Sequence, residues 1–353
     1  GLAELVASNV KEGRLSFTLD AREAIRSADA IFIAVGTPSR RGDGHADLSY
    51  VYAAAKEIAE HMDGFTVIVT KSTVPVGTGD EVEEIIRKTN PDAKFAVVSN
   101  PEFLREGAAI NDFKRPDRVV VGTDTEEARE VMRQLYRPLF LNETPMLFTE
   151  RRTSELIKYA ANAFLAVKIT FINEMADLCE KVGANVQDVS KGIGLDNRIG
   201  RKFLHAGPGY GGSCFPKDTL ALTKTANDNG SPVRIVDTVV EVNNARKKAM
   251  AQRVIKAMGG KVKGKTIGVL GLAFMPNTDD MRDAPSIAIF QALEDAGLIV
   301  RGYDPEGIEQ ARPLMPGMTF CDTPFAAAEG ADAVVLVTEW DVLRALDLKR
   351  LKS

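Results

Sequence analysis

The stretch Phe65-Thr-Val-Ile-Val-Thr70 is a short apolar run that leads directly into the polar segment Lys71-Ser-Thr73. Similar runs and amphipathic stretches alternate through residues 1–150, namely Ala30-Ile-Phe-Ile-Ala-Val35, Tyr50–Met62, Gly79–Lys88, Phe95-Ala-Val-Val-Ser99 and Arg118-Val-Val-Val-Gly122. Short buried strands that alternate with helices are typical of a parallel sheet covered by helices on both faces. Residues 1–150 are therefore predicted to form a Rossmann-like α/β domain.

Small polar residues follow three of these predicted strands, at Gly36-Thr37-Pro38, Ser72-Thr73 and Asn100-Pro101-Glu102. Each segment alone could be an ordinary turn. Ligands of doubly wound sheets bind outside the carboxyl ends of the strands, so together the segments predict a binding rim. No strand with a glycine-rich turn precedes residue 30, so the first strands of this sheet and its dinucleotide fingerprint are expected to be missing.

A long helical pattern runs from Thr153 to Val182, with apolar residues on one broad face. This face consists of Leu156, Tyr159, Ala160, Ala163, Phe164, Val167, Phe171, Met175 and Leu178. Further helices are predicted at Asp218–Asn229 and Ser231–Met258, the second opening with Ser-Pro. Residues 151–260 are therefore predicted to form a central helical domain, with the long helix as a spine between domains.

A second α/β unit is predicted after Gly259-Gly260, over residues 261–353. Its predicted strands are residues 266–271, 298–303 and 333–338, and a helix is predicted at Ser286–Ala296. The whole chain is thus predicted to contain two Rossmann-like parallel-sheet domains joined by the long central helix and the helical domain.

The segment Phe203-Leu-His-Ala-Gly-Pro-Gly-Tyr-Gly-Gly-Ser-Cys-Phe-Pro-Lys-Asp218 contains the candidate reacting atom, the thiol of Cys214. A nearby ammonium group favours a thiolate and a nearby carboxylate can move a proton, and Lys217 and Asp218 follow within one turn. The glycines before Cys214 would let a ligand approach the main chain closely. The alternative is an inert buried cysteine beside a flexible turn.

The same segment satisfies the pattern G-x-G-x-x-G from Gly207 to Gly212. A dinucleotide fingerprint needs a strand before it and a helix that opens after it. Here a polar, helix-like stretch, Asn197–His205, precedes the glycines, and Pro216 is expected to interrupt any helix on their other side. The match is therefore not interpreted as a cofactor site.

Composition excludes several classes of protein. The net charge is −4 and the basic residues are scattered, so no nucleic-acid partner is predicted. The three cysteines are far apart and odd in number, which favours a reducing compartment and a cytoplasmic protein without a disulfide framework. The sequence shows no signal peptide and no spanning apolar run, so no membrane partner is predicted, and no metal site is predicted either.

The segment around Cys214 resembles the catalytic loop of the UDP-glucose 6-dehydrogenase family, within the wider UDP-glucose/GDP-mannose dehydrogenases. The resemblance extends through Lys71-Ser-Thr-Val-Pro-Val-Gly77, Asn100-Pro-Glu-Phe-Leu-Arg-Glu-Gly107, Glu155-Leu-Ile-Lys-Tyr-Ala-Ala-Asn162 and Asn277-Thr-Asp-Asp-Met-Arg-Asp283. It implies oxidation of UDP-glucose by two NAD to UDP-glucuronate, through a thiohemiacetal and a thioester. It also implies that the cofactor fingerprint lies upstream and that both ends of the chain are clipped.

Matching motifs imply roles for particular residues. Cys214 is the nucleophile, Lys158, Asp218 and Asn162 handle the proton and the oxyanion, and Glu102 and Thr73 position or activate water. Sugar-nucleotide contacts are implied for Glu102, Phe103, Leu104, Arg105, Lys158, Asn162, Arg198, Phe203, Leu204, His205, Ala206, Gly207, Gly211, Phe274 and Met275. NAD contacts are implied for Thr37, Ser72, Thr73, Glu106, Lys217 and Arg282.

Met275 departs from the family pattern, which has lysine after Gly-Leu-Ala-Phe274, so weaker substrate phosphate recognition is expected. A homodimer or larger assembly is expected from the wide apolar face of the long helix. Two alternatives stay open at this point. The chain could oxidise GDP-mannose or a UDP-N-acetylhexosamine, or it could be a non-catalytic sugar-nucleotide-binding module.

Overall fold

The computed structural model of the 353-residue chain describes residues 1–38, 46–140 and 144–352. Their contacts divide the chain into two compact units, Gly1–Ala161 and Asn162–Ser353. The predicted three-domain division at residues 150 and 260 stays a prediction. Within the described ranges no helix combines the length and the apolar character needed to cross a membrane.

The first unit is built on a five-stranded sheet in the order β1-β2-β3-β4-β5. Its strands are β1 (Ala30–Ile33), β2 (Phe65–Thr70), β3 (Lys94–Ser99), β4 (Val119–Gly122) and β5 (Met146–Thr149). Its helices are α1 (Leu2–Lys11), α2 (Ala21–Ile25), α3 (Ser49–His61), α4 (Thr78–Thr89), α5 (Ala109–Lys114) and α6 (Glu126–Phe140). The predicted α/β class is confirmed, and β5 is an additional short strand.

The strands β1, β2 and β3 are parallel neighbours, as are β4 and β5. In contrast, β4 meets β3 antiparallel, at Ser99 and Gly122. The sequence pattern does not reveal this direction, because a buried strand is equally apolar in either pairing. The carboxyl ends of β1, β2 and β3 therefore share one edge of the sheet.

Helices cover both faces of this sheet, as its continuous apolar strands require. On one face Ile58 of α3 and Ile86 of α4 pack with Ile68 of β2. On the other face Met132 of α6 packs with Val67 of β2. Burial of each such side chain contributes about 1.5–3 kcal/mol.

The helix α7 (Arg151–Val182) carries residues of both units and turns polar side chains inward. Glu155, Lys158 and Asn162 are buried together with Tyr159 and Ala163. Large apolar side chains of α7 are exposed instead, namely Leu156 (44%), Phe164 (64%), Phe171 (47%) and Leu178 (49%). The residues of the predicted apolar face are thus divided: Tyr159 and Ala163 are buried, whereas the four large side chains are exposed. Periodicity does not reveal that buried polar side chains share the packed side of α7.

The second unit contains a four-stranded sheet of β6 (Thr266–Leu270), β7 (Ile299–Tyr303), β8 (Thr319–Phe320) and β9 (Ala333–Leu336). Its helices are α8 (Val186–Gly194), α9 (Phe215–Asp228), α10 (Arg234–Ala257), α11 (Pro285–Asp295), α12 (Ile308–Ala311), α13 (Pro324–Ala328), α14 (Asp341–Arg344) and α15 (Leu348–Lys352). The predicted start of α10 at Ser231-Pro232 is wrong, because the Ser231 N–H instead donates to the Ala226 carbonyl (2.9 Å) at the end of α9.

The second sheet has the order β8-β7-β6-β9 and is parallel throughout. This order places a topological switch point between β6 and β9, because the chain moves outward from β6 in both directions. Ligands of such sheets bind at the carboxyl ends of the strands beside the switch point. Phe274 and Met275 follow β6 at that end.

Candidate active site

The carboxyl ends of β1 and β2 are joined by side-chain hydrogen bonds. The Thr37 hydroxyl donates to the Thr73 carbonyl (2.9 Å), and the Ser72 hydroxyl donates to the Val35 carbonyl (2.6 Å). Gly36 has no atom within 4 Å of the position that a Cβ would take. The structure thus brings together the predicted cofactor residues Thr37, Ser72 and Thr73 beside an open stretch of main chain.

Lys158 of α7 and Glu102, after β3, form an ion pair. Lys158 is 3% exposed, and its Nζ donates to Glu102 Oε1 at 2.9 Å. The other carboxylate oxygen of Glu102 accepts from the Leu104 N–H at 2.5 Å. The Phe103 ring lies 5.4 Å from Lys158 Nζ. These residues and the Thr37, Ser72 and Thr73 group form the N-terminal cluster.

Glu155 fixes α7 against the elements that carry this cluster. One carboxylate oxygen accepts from the Gly79 N–H (2.8 Å) and the Ser99 hydroxyl (2.9 Å), and the other accepts from the Gly77 N–H (2.6 Å). Because Gly77 has no side chain that could cap α4, Glu155 caps that helix from α7. Burial raises the pKa of Glu155, although these hydrogen bonds act in the opposite direction.

Cys214 lies at the N-terminus of α9, where the helix dipole favours a thiolate. Its carbonyl accepts from the Asp218 N–H at 2.8 Å, and the Ser213 hydroxyl lies 3.6 Å from its Sγ. The prediction that Pro216 interrupts a helix is wrong, because proline fits the first turn, where its missing N–H has no partner to lose. Residues 197–205 form turns and irregular structure rather than a helix.

Asp218 is held one turn beyond Cys214 by the predicted partner Asn162. The Asn162 side-chain amide donates to Asp218 Oδ2 at 2.6 Å, and Asp218 is 1% exposed. The Lys217 ammonium group lies 3.6 Å from Asp218 Oδ1. Cys214, Asn162, Lys217 and Asp218 form the C-terminal cluster, which combines a thiol, a carboxylate, an amide and a cation.

Side chains of α7 and α10 clamp the main chain before Cys214. The Gly207 N–H donates to Asn173 Oδ1 (2.8 Å), and the Gly207 carbonyl accepts from Arg246 Nε (2.6 Å). The Tyr210 N–H donates to Asn243 Oδ1 (2.8 Å), and the Tyr210 carbonyl accepts from Asn243 Nδ2 (3.1 Å). The main-chain N–H and the main-chain carbonyl of Gly207 and of Tyr210 are therefore all hydrogen-bonded to side chains. These bonds restrain the loop that carries Cys214.

The packing of the protein itself requires glycine at two positions of this loop. A Cβ on Gly211 would lie 2.4 Å from the Asp283 carbonyl oxygen, and a Cβ on Gly212 would lie 2.7 Å from Phe274 Cε2. The loop glycines were expected to make room for substrate, but this side of Gly211 and Gly212 is filled by the protein. Gly207 has no atom within 4 Å of its Cβ position.

Asp304, at the end of β7, organises the segment that leads to Phe274 and Met275. Its Oδ2 accepts from the N–H groups of residues 272 and 273 (2.6 and 2.9 Å) and from Trp340 Nε1 (3.1 Å). Asp304 is 1% exposed. The predicted substrate residues Phe274 and Met275 are thus positioned beside the switch point by a buried carboxylate.

The remaining predicted charged residues lie outside the helices and strands. Three predicted arginines each pair with a nearby carboxylate: Arg105 with Asp112 (2.6 Å), Arg198 with Asp196 (2.5 Å) and Arg282 with Asp280 (2.8 Å). Glu106 is half-buried in the turn before α5. A phosphate that binds one of these arginines has to compete with the carboxylate already present.

The predicted run Phe203–Gly207 is irregular. Phe203 adopts a left-handed conformation with φ 65°, and the Leu204 side chain is 2% exposed. His205 is exposed, whereas Ala206 and Gly207 are half-buried. Because the Leu204 side chain is buried, this residue can offer a ligand little beyond its main chain.

Three domains of one protein family match the chain in order. Residues 1–140 match the NAD binding domain of the UDP-glucose/GDP-mannose dehydrogenase family, residues 152–245 its central domain and residues 268–353 its UDP binding domain. The chain belongs to the UDP-glucose/GDP-mannose dehydrogenase family. The segment from Phe203 to Asp218, the helix α7 from residue 152 onward, and Phe274 and Met275 beside the switch point all lie within these matched residues.

Relatives within this family are similar over the whole chain. The chain is 70% identical to the UDP-glucose 6-dehydrogenase of Rhizobium meliloti (strain 1021), with 100% of this chain and 81% of that protein covered. It is 47% identical to the UDP-glucose 6-dehydrogenase TuaD of Bacillus subtilis (strain 168), with 100% and 76% covered. The structure of a UDP-glucose dehydrogenase from Pyrobaculum islandicum matches with a TM-score of 0.92 and 40% identity, covering 98% of this chain and 80% of that one.

The sequence pattern does not reveal the side chains that bind the main chain of the segment before Cys214. Asn173, Asn243 and Arg246 lie inside predicted helices, where polar residues are expected to be solvated. Asn243 and Lys247 are four residues apart and are both buried, so they share one face of α10. This polar pair within a long helix is the signal that could have indicated a role.

Proposed function

We propose that this protein catalyses the NAD-dependent, four-electron oxidation of UDP-glucose to UDP-glucuronate through a thioester on Cys214. The observation that carries the proposal is Cys214 at the N-terminus of α9, one turn from the buried Asp218–Asn162 pair. Oxidation of an alcohol to an aldehyde needs a base but no thiol, so a nucleophilic cysteine favours a second oxidation to an acid. The relatives named UDP-glucose 6-dehydrogenase support glucose as the sugar.

The proposed chemistry balances in three steps. The hydroxymethyl group of the sugar loses a proton and a hydride and becomes an aldehyde. The Cys214 thiolate adds to the aldehyde carbon and the oxygen takes a proton, which gives a thiohemiacetal. Loss of a second hydride from its carbon and of that proton from its oxygen leaves a thioester. Water then attacks the thioester carbon, the C–S bond breaks, and the thiolate is restored as the carboxylate product forms.

Roles for the two clusters follow from their charges and hydrogen bonds. Lys158 and Asn162 would donate to the developing oxyanion, and Asp218 would accept or return the proton. Glu102 and Thr73 would position and activate the water that cleaves the thioester. These assignments rest on side-chain chemistry within each cluster and remain proposals.

The rim at β1 and β2 fits the proposed cofactor. NAD, when bound, accepts one hydride in each oxidation. Thr37, Ser72 and Thr73 offer hydroxyl groups at the carboxyl ends of parallel strands, and the open side of Gly36 allows close approach to the main chain. Glu106, Lys217 and Arg282 are further proposed contacts.

A comparison of substrates tests the proposal. The protein is incubated with NAD and either UDP-glucose, GDP-mannose or UDP-N-acetylglucosamine, and the products are identified by mass spectrometry. UDP-glucose should give UDP-glucuronate with a kcat/KM at least about tenfold above the others. Highest activity with GDP-mannose or the acetylated sugar, or no NADH with any of them, contradicts the proposal.

We further propose a homodimer or larger assembly formed through α7. The exposed stripe of Leu156, Phe164, Phe171 and Leu178 recurs at intervals of seven or eight residues, and so lies along one side of the helix. Light scattering of wild type and of Phe164→Glu tests this, with Phe17→Glu as a control at another exposed aromatic residue. Phe164→Glu alone should yield monomers, and a monomeric wild type contradicts the proposal.

The protein is also proposed to work in the cytoplasm. None of its three cysteines, Cys179, Cys214 and Cys321, forms a disulfide, which suits a reducing compartment. Detection of the protein in fractionated cells tests this assignment, and recovery outside the cytoplasmic fraction contradicts it.

A further inference from the structure

Lys71, at the carboxyl end of β2, turns its ammonium group into the protein. Its Nζ donates to Asn100 Oδ1 (3.2 Å) and to the Tyr136 hydroxyl (3.1 Å), and it lies 5.7 Å from the centre of the Tyr136 ring. Asn100 is fully buried and Tyr136 is 7% exposed. Lys71 thus connects β2 with the segment after β3 and with α6.

Asn100 anchors the turn that leads to Glu102. Its N–H donates to the Thr70 carbonyl (2.9 Å) and its side-chain amide donates to the Val120 carbonyl (2.7 Å). Its Oδ1 accepts from Tyr136 (2.5 Å) as well as from Lys71. A single residue, Pro101, separates Asn100 from Glu102, and its ring fixes one of the intervening backbone angles.

We propose that Lys71 is a positioning residue, whose ammonium group holds the Asn100–Glu102 turn so that Glu102 stays paired with Lys158. This inference rests on the proposed function, in which Glu102 and Lys158 take part in the reaction. Lys71 acts through Asn100 and through its charge and is not itself assigned a contact with substrate.

The electrostatics support a role other than stabilising the fold. Burial lowers the pKa of Lys71 from 10.5 to about 8; the charge of Glu102 opposes this shift and that of Lys158 adds to it. Because the folded-state pKa is the lower one, the folded protein is stabilised relative to the unfolded chain above pH 10.5, and this contribution is lost as the pH falls through about 8. The cation is therefore kept at a cost in stability near neutral pH.

Removal of the ammonium group takes one donor from the Tyr136 hydroxyl oxygen, but that hydroxyl keeps the hydrogen bond that it donates. Asn100 Oδ1 still accepts from the Tyr136 hydroxyl at 2.5 Å. Methionine nearly matches the length of lysine and can fill the same space. Lys71→Met should therefore fold normally, which makes its activity informative.

The experiment compares Lys71→Met, Lys71→Arg and wild type in urea unfolding and in turnover of UDP-glucose across a range of pH. The control is Lys94→Met, at the exposed first residue of β3. Lys71→Met should lower kcat at least about tenfold with KM unchanged, as expected for misplaced catalytic groups. In wild type kcat should decline above pH 8, whereas Lys71→Arg should keep its activity at higher pH, because arginine stays charged.

The stability measurement tests the inference even if the proposed reaction fails. The stability of wild type relative to Lys71→Met should be constant below about pH 8 and should rise between pH 8 and 10.5, because the folded-state pKa of Lys71 is the lower one. A pH-independent difference overturns the inference. So does unchanged kcat in Lys71→Met when wild type oxidises UDP-glucose. If wild type does not oxidise UDP-glucose, the proposed function fails, and the unfolding data still decide whether folding lowers the pKa of Lys71.

Discussion

Replacement of Asn243 by alanine should lower both the stability of the fold and the rate of the reaction. The Asn243 amide binds the main-chain N–H and the main-chain carbonyl of Tyr210. The hydrogen bonds are 2.8 and 3.1 Å long, and Asn243 and Tyr210 are 2% and 6% exposed. A buried polar group without a partner costs about 1–3 kcal/mol, so loss of both partners should cost about 2–6 kcal/mol. This cost lies below the middle of the usual range of domain stability, about 5–15 kcal/mol, so the variant should still fold.

The effect of Asn243→Ala on activity should exceed its effect on substrate binding. Tyr210 lies four residues before Cys214, so a shift of the loop displaces the thiol, and displacement by about 1 Å can cost about a hundredfold in rate. Urea unfolding measures the stability loss. Peptide mapping after brief alkylation measures the reactivity of Cys214, and NADH formation measures turnover.

Two further variants make this experiment specific. Asn244→Ala changes the neighbouring exposed residue of α10 and should alter stability by less than about 0.5 kcal/mol. Asn243→Asp keeps an acceptor for the Tyr210 N–H but loses the donor to the Tyr210 carbonyl. Its free energy of unfolding should therefore be lower than that of wild type. Equal unfolding midpoints and equal turnover for Asn243→Ala and Asn244→Ala would show that Asn243 does not hold the loop that carries Cys214.

Three other changes follow from the clusters. Cys214→Ser should stall at the ester that forms once the serine adduct has lost the second hydride, because an ester hydrolyses more slowly than a thioester. Intact-mass spectrometry should detect this covalent adduct, and unchanged turnover removes Cys214 from the mechanism. Met275→Lys should tighten UDP-glucose binding about tenfold to a hundredfold in calorimetry and steepen its salt dependence, since a charge-assisted hydrogen bond contributes about 1.5–3 kcal/mol; unchanged affinity places residue 275 away from the phosphates. Wild type should lose stability relative to Glu155→Gln as the pH rises above 4.5, because the folded protein holds the Glu155 proton more tightly than the unfolded chain does. Urea unfolding measures this difference. A difference in urea midpoint that does not change with pH contradicts the prediction.

The strands and their order of appearance could be predicted, because a parallel sheet buried on both faces needs continuous apolar runs. The runs at Phe65–Thr70 and Thr266–Leu270 became β2 and β6 almost residue for residue. The direction of β4 and the existence of β8 could not be predicted, since pairing depends on partners distant in sequence and β8 has only two residues.

The site could be predicted where chemistry is concentrated in short motifs, as at Cys214 and Asp218. It could not be predicted where a side chain supports the main chain of another element, as Asn243 does for Tyr210 and Glu155 does for Gly77 and Gly79. Such residues resemble ordinary helix surface until the tertiary contacts are known. The inward polar side of α7 was missed for the same reason.

The number of NADH molecules formed for each UDP-glucose consumed shows directly whether one sugar is oxidised twice on Cys214. With limiting UDP-glucose and excess NAD, each UDP-glucose should give two NADH and one UDP-glucuronate, because the aldehyde is captured by Cys214 and oxidised again. The same measurement on Cys214→Ala should yield no acid. A ratio of one NADH with release of a free aldehyde, or two NADH from Cys214→Ala, would contradict the account.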